Sequence, residues 1–139
     1  MPFCQDRNFT IDMWRDRDGI RLDTLFFQLN VAGAVITGDV FPSAGARLSA
    51  VTGSCQAVAN QELSIIDLLF TWNGRNVALL GLVHLDPVLA RVKFKGRFRA
   101  FGAGQLNTER QIDRSGPSNF LVAIPPDDGD TGTGTGQQT

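Results

Sequence analysis

The sequence predicts an all-β protein, an eight-stranded antiparallel up-and-down β-barrel, with a two-sheet β-sandwich as the alternative. Three observations predict it. Asn73-Gly74 lies between two apolar runs, and Asn-Gly is the strongest short-range hairpin cue because both corners need positive φ. Apolar residues alternate with polar ones on both sides of the proposed turns. No stretch of useful length has helical periodicity, and residues 109–113 allow at most one short turn.

Residues 8–14 make the first strand. A hairpin turning at Ala32-Gly33 then places Leu25, Phe27, Leu29 and Val31 on one face with Ala34, Ile36, Gly38 and Val40. Its other face carries Phe26, Gln28 and Asn30 against Val35, Thr37 and Asp39. Residues 47–55 form the next strand. The turn at Asn73-Gly74 pairs Trp72 with Arg75, Phe70 with Val77, Leu68 with Leu79 and Ile66 with Gly81. With Val83 and Leu85, that face has no polar side chain, so it is a core face. Pro87 presets φ for the following turn. In the strand over 90–101, Val92, Phe94, Phe98 and Ala100 alternate with Arg91, Lys93, Lys95, Arg97 and Arg99. An even loop length keeps the apolar set on the core face, and an odd one reverses it. Residues 118–124 supply the eighth strand. Closing eight sequential strands removes exposed edges.

The chain of 139 residues makes one domain over 1–124. Residues 125–139, PPDDGDTGTGTGQQT, read as a disordered Gly/Thr-rich tail or as an arm ordered by a neighbour. The TGTGTG run lacks the Lys and the following helix of a phosphate loop. Apolar residues are 42% and charged residues 19%, which excludes a charge-rich disordered chain. The net charge of −1 means that any anion must be held by a local patch. Residues 1–8 show no basic start leading into an apolar run, and no apolar stretch is long enough to span a membrane. These features lead to the expectation of a soluble, cytoplasmic protein. Cys4 and Cys55 form no CxxC pair, so neither metal nor cofactor is expected; they could form one disulfide, but a chain without an export signal argues for free thiols.

The order of short motifs resembles the avidin and streptavidin family. Thr37-Gly38 follows an apolar strand, then come Val51-Thr52-Gly53, a strand ending at Trp72, Leu80-Gly81 and the hydrophobic-basic strand. The resemblance runs from Phe26 to Ala100. It implies an eight-stranded barrel of similar length with a ligand cavity. The biotin site does not carry over: Tyr is absent, Trp14 and Trp72 are the only tryptophans, and Phe94-Lys95-Gly96-Arg97 replaces the family's tryptophan before paired leucines.

The residues offer three function classes. The first is a binding module for a small apolar or amphipathic ligand, lined by Phe27, Phe70, Trp72, Leu79, Phe94 and Phe98. An eight-stranded barrel is just wide enough to be filled by side chains or to hold one small molecule. The second is a small-barrel cyclase or isomerase using Asp39, Asp67 or His84. The expected register turns all three outward and sets Asp67 and His84 about 13 Å apart, so no catalytic residue is assigned. Asp67 is expected opposite Leu80 and near Lys95, and Arg91 is expected beside His84. The third class is a structural or assembly protein. Arg91, Lys93, Lys95, Arg97 and Arg99 lie on one strand face about 7 Å apart. Neighbours repel by about 0.6 kcal/mol in water and about 2.4 kcal/mol at a dielectric of 20, so the row faces water or meets anions. Those anions come from a salt-bridged subunit interface, with the acids of residues 14–18 or 127–130 as their source, or from an anionic ligand. The row has no interleaved aromatic platform, which argues against nucleic acid. Ile65, Leu69, Leu80 and Leu82 share the same outer side. A patch of that kind predicts a homo-oligomer through Leu69, Leu80 and Leu82, or cover from residues 118–124.

Overall fold

A computed structural model describes residues 4–16, 19–58, 63–86, 88, 90–101 and 131–139. The strands are β1 (Arg7–Arg15), β2 (Arg21–Ala32), β3 (Val35–Phe41), β4 (Ser49–Ala57), β5 (Leu63–Trp72), β6 (Arg75–Asp86), β7 (Arg91–Phe101) and β8 (Thr131–Gln138). Each pairs antiparallel with its sequence neighbour, and β8 pairs back to β1, closing the barrel. The expected fold class is therefore the observed one. No helix among the described residues is long and apolar enough to cross a membrane.

The Asn73-Gly74 turn has both corners at positive φ, 54° and 72°, as a two-residue hairpin of this type requires. It sets the expected register, from Trp72↔Arg75 to Leu63↔His84. Asp86 pairs with Arg91, so the intervening loop has four residues. That even length keeps Phe94, Phe98 and Ala100 buried in the core. It also sets Lys93, not the expected Arg91, opposite His84.

The first hairpin differs from expectation by one step. Ala32 pairs with Val35, so the turn residues are Gly33 and Ala34 rather than Ala32 and Gly33. Gly33 takes φ 65° at the first corner, the position where a type II′ turn calls for glycine. The shift preserves parity, so Phe27, Leu29, Ile36 and Val40 still face inward.

The largest correction concerns the C-terminus. Residues 131–138 are not a tail; they are the eighth strand, seated between β7 and β1. The expected strand at 118–124 lies outside the described residues. TGTGTGQQ alternates at period two, with Gly132 and Gly134 buried and the threonines turned outward. The inward positions carry no side chain because the aromatic rings of β7 fill that space. A Cβ on Gly132 would collide with the Phe98 ring and with the Trp14 carbonyl oxygen. A Cβ on Gly134 would meet only Leu79 and Ile11 methyl groups and the Phe94 ring edge, at 3.1 to 3.4 Å.

The main core cluster is drawn from β1 to β7 and includes Phe9, Ile11, Met13, Leu25, Phe27, Leu68, Phe70, Trp72, Leu79, Phe94 and Phe98; Phe101 is buried apart from it, against Leu69 and Ala78. Its rings meet at angles: Phe27 and Phe70 at 5.1 Å and 80°, Trp72 and Phe98 at 5.8 Å and 83°. Such edge-to-face pairs add about 0.5–1.5 kcal/mol beyond area burial.

Both ends of the barrel are tied. At one end, Cys4 precedes β1 and forms a disulfide with Cys55 of β4, across a Cα–Cα distance of 5.7 Å. The expectation of free thiols is therefore corrected. Sequence spacing carries no distance information, whereas the closed barrel turns Cys55 inward, 4% exposed, toward the segment entering β1. Asp6 in that segment accepts a hydrogen bond from the Val31 amide at 2.7 Å. At the other end, the Trp72 indole donates to Asp23 at 3.1 Å. Asp23 also accepts from the Thr24 amide at 2.8 Å. A buried indole N–H needs such a partner, and the inward phase of Asp23 on β2 supplies it.

Candidate functional site

The six residues expected to line a cavity do come together. Phe27, Phe70, Trp72, Leu79, Phe94 and Phe98 all point inward and none is more than 4% exposed. They pack on one another and on their core neighbours.

The cationic row is where expected, on the outer side of β7, and each member has a different environment. Arg91 donates to Gln137 at 3.3 Å. Lys93 pairs with Asp86 at 3.0 Å. Lys95 is exposed. Arg97 grips Asp16 with two guanidinium nitrogens and also donates to Thr133 at 3.1 Å. Arg99 is only 7% exposed. Asp16 thus serves the row within its own chain, reaching across the narrow β8.

The Arg97 hydrogen bonds hold the Asp16 carboxyl below its ordinary value, against partial desolvation, with help from the Thr131 hydroxyl. The same contact raises Arg97. A depressed folded pKa stabilises the fold above the unfolded carboxylate value of about 3.9 and loses that effect as pH falls through the folded value. Both side chains are well exposed, 36% for Asp16 and 58% for Arg97, so screening keeps the effect small. Asp16→Asn is expected to cost about 0.2–1 kcal/mol near pH 7 and progressively less as pH falls below about 3.9, measured by urea unfolding along a pH series.

The residues considered for catalysis stay apart. Asp39 on β3 pairs with Arg47 at 2.5 Å. Asp67 stands opposite Leu80, as expected. His84 stands four residues further along β6, between Leu63 and Lys93. Among the described residues, no group of three or more His, Cys, Asp or Glu side chains could hold a metal ion.

His84 does belong to a second constellation. A groove of about 500 Å³ runs along the outer wall from β6 to β1. One lip carries His84, Lys93 and Lys95, and the other carries Thr10 and Asp12, with Thr135 and Gln137 between. Asp12 is already engaged, accepting from the Thr24 hydroxyl at 2.6 Å and lying 3.9 Å from Arg21. The groove floor is low because β8 offers only Thr, Gly and Gln, and Phe94 and Gly136 reach it from below. Sequence reasoning singled out the lysines and His84 but missed Thr10, Thr135 and Gln137. They meet only once residues 131–138 are placed between β7 and β1.

A second depression of about 450 Å³ lies over the start of β1 and the end of β2, lined by Asp6, Asn8, Gln28, Asn30 and Asp39 among others. Its acids are already bonded, Asp6 to the Val31 amide and Asp39 to Arg47. Comparison with protein families, curated proteins and solved structures finds no match to this chain.

Proposed function

We propose that the protein is a small-molecule-binding barrel that takes an amphipathic anion in the groove over β8. The observation that carries this reading is the convergence of Lys95, Lys93 and His84 on one lip of a groove of about 500 Å³, with hydroxyl and amide groups of Thr10, Thr135 and Gln137 opposite. That volume is within the usual range for small ligands, and a few convergent polar groups on a partly apolar surface are the usual lining. Lys95 supplies the charge, since Lys93 is partly neutralised by Asp86. The lysine methylenes supply apolar contact. The ligand is therefore a carboxylate or phosphate ester with an apolar portion.

The avidin-like reading rests on the order of short motifs and on the closed eight-strand meander. The interior differs from a hollow cup in being lined by mutually packed rings. The compartment is read from the disulfide. A Cys4–Cys55 bond suits an oxidising environment better than the cytoplasm expected from the sequence.

The test is a titration with a panel of aryl and alkyl carboxylates and phosphates, followed by backbone amide NMR shifts. Shifts at Lys95, Thr135 and Gln137 are expected. Lys95→Ala is expected to weaken ligand binding about ten- to a hundredfold, in keeping with a charge-assisted contact of about 1.5–3 kcal/mol. Shifts confined to core residues such as Phe27 and Phe70 would place the ligand inside the barrel and overturn the groove reading.

A further inference from the structure

We infer that the outer face of β1, β2 and β3 is a second binding site, apart from the groove over β8, and that it takes a neutral saccharide. Residues 24–32 carry no charged side chain, whereas every second residue of β7 from Arg91 to Arg99 is a cation except where the phase points inward. The outward positions of β2 are Phe26, Gln28 and Asn30, in the phase opposite to the buried Leu25, Phe27 and Leu29. The register extends them across the neighbouring strands as two rows. One reads Asn8, Gln28, Asp39, and the other reads Thr10, Phe26, Phe41. Alternate residues of a strand are ~7 Å apart, so an aromatic row lies one side-chain step from a polar row. Two depressions meet there. One of about 450 Å³ lies over the polar row, and one of about 280 Å³ lies beside Phe26 and Phe41; Asn8 and Gln28 line both.

The lining selects the class of ligand. Arg47 neutralises Asp39, and Asp6 and Arg7 add one charge of each sign, so an ion gains little here. The side-chain amides of Asn8, Gln28 and Asn30 are exposed and make no hydrogen bond to another described residue. Each offers both donors and an acceptor, and a sugar hydroxyl likewise donates and accepts. Asp39 engages Arg47 through Oδ1, which leaves Oδ2 as a further acceptor. Phe26 and Phe41 stand directly opposite each other, and both are half-buried, with ring surface open to solvent. The negative face of an aromatic ring attracts the weakly positive C–H groups of a pyranose. A sugar presents that combination, an apolar C–H face edged by hydroxyls, and the two rows match it. A nucleobase also stacks on aromatic rings, but a single strand needs a basic groove for its backbone, and this face has no net charge.

The test uses the full chain, titrated at millimolar concentration with cello-, malto-, manno- and chito-oligosaccharides and followed by amide NMR. Oligogalacturonate is the acidic control and oligothymidylate the nucleic-acid control. A neutral oligosaccharide is expected to shift the side-chain amide signals of Asn8, Gln28 and Asn30 and the backbone amides of Phe26 and Phe41. Phe26→Ala and Gln28→Ala are each expected to weaken that binding about tenfold. Phe26→Trp is expected to retain it, and Lys95→Ala to leave it unchanged. Gln28 is exposed, so its variant keeps the test decisive if Phe26→Ala lowers the melting temperature. Silence of these signals toward every neutral oligosaccharide overturns the inference. So does tighter binding of either control at the same residues, or binding indifferent to both alanine variants. Shifts confined to Lys95, Thr135 and Gln137 would place the sugar over β8; they overturn this second site and spare the groove.

Discussion

A chain ending at residue 130 is expected to lose its cooperative fold. β8 supplies partners to two strands at once, Phe9 to Arg15 on one side and Lys93 to Arg99 on the other. Without it both become open edges, and Phe9, Ile11, Met13, Phe94 and Phe98 lose their cover. Each such side chain contributes about 1.5–3 kcal/mol when fully buried. Partial exposure of five of them consumes most of the ~5–15 kcal/mol that keeps a typical domain folded. The measurement is thermal unfolding followed by near-ultraviolet circular dichroism, in which the tryptophan signal should disappear. A graded version keeps the chain whole. Gly132→Val drives a side chain into the Trp14 carbonyl and the Phe98 ring, whereas Gly134→Ala meets only methyl groups and a ring edge at 3.1 Å or more. The first is expected to cost more than about 3 kcal/mol and the second about 1 kcal/mol, following the usual range for overpacking. Equal costs at the two positions would contradict the inward packing of β8.

Replacing both cysteines by serine is expected to give the second large effect. The Cys4–Cys55 bond closes a loop with a sequence separation of 51 residues. The chain-entropy relation gives about 4 kcal/mol for a loop of that size, within the ~0–5 kcal/mol observed for disulfides. Cys55 is also a core residue at 4% exposure, so serine leaves a polar group in an apolar site. A loss of about 4–5 kcal/mol follows, or roughly 12–20 °C in melting temperature for a domain of this size. Comparing the wild-type protein with and without reductant separates the two contributions, since reduction removes the bond but leaves both sulfurs. A melting temperature indifferent to reductant would show that the segment before β1 is held by Asp6 and packing alone.

Local chemistry made most of the barrel legible. Asn73-Gly74 specified its turn, and the register of β5 on β6 followed from it residue by residue. The cationic phase of β7 followed from alternation once the loop proved even. β8 was missed because the usual signal for a strand is a large apolar side chain at every second position. Here those positions hold glycine, and the bulk that fills them belongs to Phe94 and Phe98 on the neighbouring strand. Half of a packing pair does not look like packing. The groove was lost with it, since Thr10 meets Lys93 only through Gln137, and Asp12 meets Lys95 only through Thr135. The disulfide was illegible for a related reason. Which residues a closed sheet brings to one mouth depends on its topology, and no local feature of Cys4 or Cys55 reports that.

Barrel closure also sets an order of events. β1 emerges first from synthesis and its second partner β8 emerges last. At about 5–20 residues per second, the nascent first strand waits on the order of ten seconds for its closing neighbour. Throughout that interval β7, once made, is the growing margin of the sheet, and a bare sheet margin recruits any other extended chain. The strand at that margin is the one carrying Arg91, Lys93, Lys95, Arg97 and Arg99. Charged side chains are the usual guard against such recruitment. The threonine-glycine strand that finally docks there is small and uncharged, so it meets that guard with little to repel.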